Sequence, residues 1–69
     1  MVVEITRGSL LPDLIDALTR CGCLANRIAP AACRVVHPHA CDREEARLEV
    51  AFFLRAWQLR HPGVEATIA

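Results

Sequence analysis

The sequence predicts an α+β chain of the ferredoxin-like, α/β-plait type: a four-stranded antiparallel sheet with two helices on one face, in the order β-α-β-β-α-β. Three observations predict it. Two stretches carry apolar residues at helical spacing between capping residues, β-branched or alternating segments stand near both ends of the chain, and two short segments around Ala29-Pro30-Ala31 read as a hairpin. In this split βαβ plan, right-handed crossovers put the first and third strands at the centre. At 69 residues, 1–69 reads as a single domain, near the lower limit at which one core holds a chain folded without help.

Val2-Val3-Glu4-Ile5-Thr6 is β-branched and ends at Arg7-Gly8, which predicts a short strand. Ser9 is positioned as an N-cap, and Pro12 is tolerated in a first helical turn, where its missing N–H has no partner to lose. Leu11, Leu14, Ile15 and Leu18 then recur at helical spacing, predicting a helix from Leu10 to Cys21 closed by Gly22. Cys23 to Ile28 and Ala32 to His37 form the expected hairpin, with Leu24, Ile28, Cys33 and Val35 inward, although this register also turns Asn26 inward. Asp42 with Glu45 resembles a capping box and starts a second helix that runs to Arg60, where His61-Pro62-Gly63 stops it. Val64 to Ile68 alternates apolar and polar residues and predicts the last strand.

The composition narrows the function classes. Charges cancel and are interspersed, so no basic stripe invites nucleic acid and no polybasic tail invites anionic lipid. No apolar run approaches the ~20 residues of a membrane span, and the N-terminus lacks a signal peptide's positive charge, which together predict a soluble, cytoplasmic protein. The only aromatic residues, Phe52, Phe53 and Trp57, lie on the second helix, so the sheet has none on which to stack RNA bases. Phosphate loops, nucleophile elbows and H-E-x-x-H are absent, which predicts a non-enzymatic chain with no cofactor.

Two features remain as candidates for function. The second helix is apolar on two sides. Ala46, Val50, Phe53, Leu54 and Trp57 form a stripe suited to the sheet, while Leu48, Phe52 and Leu59, flanked by Arg55, form another. The second stripe is either covered by the first helix or left exposed as a self-complementary patch, as symmetric dimers use. An apolar fraction of 54% is high for so small a globule and favours a homo-oligomer or a protein partner docking on Leu48, Phe52, Arg55 and Leu59.

The other feature is CGCLANRIAPAACRVVHPHAC, which holds all four cysteines and two of the three histidines. Cys21 and Cys23 end one helix and His37, His39 and Cys41 precede the next, and the predicted topology gathers both loops at one end of the sheet. Thiolates and imidazoles suit zinc or copper(I). The CxC and HxHxC spacing matches no known zinc module, Cys21 continues a helix stripe and Cys33 points inward, so inert thiols are the plainer reading. Cys41, beside a helix N-terminus, is the best placed for thiol reactivity. The leading expectation is an interaction or regulatory module acting through the second helix; the alternative is a Cys/His metal-binding protein using Cys21, Cys23, His37, His39 and Cys41.

Overall fold

A computed structural model describes residues 1–69. It holds β1 (Val2–Ile5), a 3-10 turn (Gly8–Leu10), α1 (Leu11–Arg20), β2 (Leu24–Ala29), β3 (Ala32–Val36), α2 (Arg43–Leu59) and β4 (Ala66–Ile68). The strands form one antiparallel sheet in the order β2-β3-β1-β4.

Local chemistry sets each helix boundary. Ser9 does not cap α1; the chain enters through the 3-10 turn, in which Leu10 N–H donates to the Arg7 carbonyl at 3.1 Å. A Cβ at Gly8 would meet the Pro30 carbonyl oxygen at 2.6 Å, so only glycine lets this turn lie against the hairpin. At its other end α1 closes in a Schellman motif: Gly22 takes φ +89°, its N–H donates to Thr19 O at 3.0 Å, and Cys23 N–H donates to Leu18 O at 3.0 Å. The Asp42 carboxylate accepts from Glu45 N–H at 2.8 Å, as a capping box requires. The Glu45 carboxylate reaches back to Cys41 N–H at 3.3 Å, one residue before the cap.

One core joins the layers. Val3, Ile5, Cys33 and Val35 line the inner face of the two central strands, and Leu11, Leu14 and Leu18 of α1 meet Val50, Leu54 and Trp57 of α2 over them. Burying each such side chain contributes about 1.5–3 kcal/mol. The hairpin departs from expectation on one strand. Leu24 and Ile28 are exposed, while Cys23 is buried and Ala25 packs against the core. Ala25 pairs with Val35 and Leu24 with Val36, and a bulge falls between Arg27 and Ala29. α1 packs against β2, and the inward positions it covers are held by the small Cys23 and Ala25, while Arg27, next on that face, reaches solvent. In this register Arg27 pairs with Cys33, and Arg34 with Asn26.

Polar contacts hold the two helices together. Trp57 Nε1–H donates to Asp13 Oδ2 at 3.1 Å, and His61 Nε2 lies 3.3 Å from the same oxygen. The His61 ring stacks on the Trp57 indole with centroids 4.0 Å apart, and its Nδ1 is 2.9 Å from the Trp57 carbonyl. Asp13→Ala is expected to cost about 1 kcal/mol, because the lost bonds are charge-assisted but half-solvated. Thermal denaturation followed by circular dichroism checks this; a melting temperature within error of the parent would show the clasp to be inert.

Candidate functional site

The outer ridge of α2 is the larger exposed apolar feature. Leu48, Phe52 and Leu59 are 66%, 77% and 80% exposed, so α1 does not cover them. With Arg55, also exposed, they stand at intervals of four, three and four residues, which puts all four on one helix face. The opposite face of α2 carries Ala46, Val50, Leu54 and Trp57 into the core, with Phe53 partly buried at its border. The two-stripe pattern thus separates into a core face and a free face.

A second exposed apolar area was missed by sequence reasoning. Leu24 (60% exposed) and Val36 (49%) pair across β2 and β3 on the sheet's outer side, and Ile28 (46%) stands by the bulge. Asn26, which fitted poorly on an inward face, was the signal for it.

The cysteines and histidines divide between places. Cys21, Cys23 and His37 line one cleft of about 270 Å³ together with Glu49, Val50, Phe52 and Phe53. His39 and Cys41 do not line it; His39 lies over Gly22, and Cys41 is exposed before the Asp42 cap. No three His, Cys, Asp or Glu side chains converge on a point that could hold a metal ion. The His37 Nε2 atom contacts the Glu49 carboxylate, and its Nδ1 is buried without a partner. A proton on Nε2 satisfies the carboxylate and leaves Nδ1 as a buried lone pair, which costs less than a buried unpaired N–H.

Burial is the main force on the thiols. It pushes both Cys23 and Cys33 above the ordinary thiol range, and for Cys23 the neighbouring Cys21 and Glu49 push further in the same direction. Thiolate chemistry is thereby disfavoured at both. Cys21, which would have continued the α1 stripe, is instead exposed as the helix's last half-turn leaves the core.

Compared with protein-family models, with curated proteins and with solved structures, the chain matches none. Function must therefore be argued from its own surfaces. No helix is long and apolar enough to cross a membrane.

Two measurements test this account of the thiols. In native buffer, Cys21 and Cys41 should react rapidly with a disulfide reagent and Cys23 and Cys33 only on unfolding; four equal rates would contradict it. Because both buried thiols have folded values above their unfolded ones, the folded state retains protons that the unfolded chain loses. The contribution of these two thiols to stability should be constant below about pH 8.5 and fall as the pH rises from there through the raised values. Urea titrations between pH 7 and 10.5 read this, and a flat profile would refute it. Replacing Cys33 with Ala should flatten part of the fall.

Proposed function

We propose that this chain is a small non-enzymatic interaction or regulatory module of the ferredoxin-like, α/β-plait type that binds a second copy of itself through the outer ridge of α2. The plait reading is supported by the position of β1 and β3 at the centre of the sheet and by a helix in each of the connections β1-α1-β2 and β3-α2-β4. The observation that carries the functional reading is the line of Leu48, Phe52 and Leu59 left in solvent.

At these exposures the three side chains offer on the order of 400 Å² of apolar surface per copy, within the range in which a patch is often functional. A two-fold axis between Phe52 and Arg55 would set Leu48 against Leu59 of the second copy and each Arg55 guanidinium over the Phe52 ring of the other. Such cation–π contacts are worth about 0.5–2 kcal/mol. Burying the patch on both copies yields roughly 20 kcal/mol before costs, against some 4–15 kcal/mol of lost rigid-body freedom. Association at micromolar concentration needs about 8 kcal/mol net, which this leaves when the total costs stay below about 12 kcal/mol.

Phe52→Asp tests the reading. Sedimentation equilibrium should show its assembly to be smaller than the parent's, with monomer stability changed by less than about 0.5 kcal/mol because the side chain is mostly exposed. An unchanged mass would remove the proposal.

The second reading is a zinc or copper(I) protein, favoured by the shared lining of one cleft by Cys21, Cys23 and His37. It needs movement of the side chains to bring donors together. Native mass spectrometry after zinc addition, with a melting curve, decides it: a one-ion adduct with a raised melting temperature supports the site, and a clean apo mass with an unshifted melt sinks it.

A further inference from the structure

The two edges of the sheet are finished differently. On the β4 side, Thr6 N–H donates to Glu65 O at 2.9 Å and Ala69 N–H to Val2 O at 2.8 Å, so the intervening Ala66 turns its N–H away from the sheet. That N–H is taken by Gln58 Oε1 of α2 at 3.1 Å. The β4 edge is three residues long and its outward donor at Ala66 is capped.

The β2 edge has six residues and no such cap. Met1 N and Val35 O are 2.9 Å apart, Val35 N and Met1 O 2.7 Å, and Ile5 N and Ala31 O 2.9 Å, so the odd residues of β3 bond to β1. By antiparallel alternation Arg34 and Val36 bond to β2, through Asn26 and Leu24. Ala25 and Arg27 are left presenting N–H and C=O at the open edge. Of the devices that usually blunt an edge, the strand has only the bulge at its far end and the Arg27 charge, with no Pro or Lys.

We propose that β2 pairs antiparallel with β2 of a second copy, about a two-fold axis at Asn26, joining two sheets into one. This register sets Ala25 opposite Arg27 of the other copy, the two residues whose backbone groups face outward, and allows four N–H···O=C bonds. Asn26 falls opposite Asn26, where the two amides can bond to each other, and at both ends Leu24 comes beside Ile28, the bulge residue, of the second copy. A shift of two residues one way puts Arg27 against Arg27, two like charges directly opposed. The opposite shift puts Leu24 against Asn26 and Ile28 against Gly22, beyond the strand. The single favourable register is what identifies the occupant as a second copy. It uses neither Phe52 nor Leu59, so it stands apart from the α2 ridge; with both contacts in use, copies assemble beyond dimers.

The test is run on the full chain carrying Phe52→Asp, which removes the α2 contact. Sedimentation equilibrium should give twice the 7.6 kDa chain mass, and adding Leu24→Lys should halve it while the native circular dichroism spectrum stays unchanged and the melting temperature loses its concentration dependence. Residues opposite each other in a non-hydrogen-bonded pair lie about 4.5 Å apart at Cα, within disulfide range. Asn26→Cys, with the exposed Cys21 and Cys41 changed to Ser, should therefore cross-link position 26 to position 26 on mild oxidation, and Arg34→Cys in the same background should not. A monomeric Phe52→Asp chain that yields no such cross-link overturns the proposal. Failure of the α2 reading shows separately, as a Phe52→Asp mass equal to the parent's.

Discussion

Two helices must seat on one narrow strip of side chains, Val3, Ile5, Cys33 and Val35, and most of the architecture follows from that. The strip lies on the two central strands, and the helices straddle it, α1 toward β2 and α2 toward β4, each turning one ridge to the core. For α1 that takes in nearly all of its large apolar side chains: Leu11, Leu14 and Leu18 are buried, Ile15 and Ala17 are partly buried at the border, and Asp13, Asp16 and Arg20 remain outside. For α2 it does not, because the helix carries a second ridge with no strip left to receive it. The free face of α2 is thus a geometric remainder of a small core, and in a chain of this length a remainder of that size weighs against the whole stability of the fold.

Polar side chains fix how the helices sit on the strip. A ridge of leucines slides at little cost, whereas the Trp57 indole N–H must meet Asp13 and the Gln58 amide must meet Ala66. Gln58 also accounts for an asymmetry of the sheet, since the helix that covers the core reaches over to occupy the β4 edge. His61 completes the set. Its two ring nitrogens face a carbonyl and a carboxylate, so only a ring bearing both protons donates to each at once.

Helix periodicity made α1 and α2 legible, because capping residues and a 3.6-residue repeat are local signals; Asp42 and Gly22 act as their chemistry requires. The exposure of Phe52 could only be posed as an alternative, because whether a neighbour covers a side chain is a tertiary fact. The β2 facing was misread for a related reason. Leu24 and Ile28 looked like core from their side chains, but it is Cys23 and Ala25 that lie under α1, and no local pattern reports how near another element will come. The Cys/His region was legible as a gathering of loops and not as a gathering of donors: topology carries Cys21, Cys23 and His37 to one cleft, while cap geometry holds Cys41 outside it.

The central position of β1 has a consequence in time. Val3 pairs with Cys33 on one side and with Ile68 on the other, so the first strand made is flanked on its second side only by the last. During synthesis the hairpin and β1 can zip together early, and Ile5 and Val3 then wait with one flank open until residues 66–68 are available. Closing contacts between such distant parts of a chain is slow compared with helix formation. For that interval β1 stands open along one whole flank, and the partly made sheet presents more unpaired backbone than the sheet with β4 and its Gln58 cap in place.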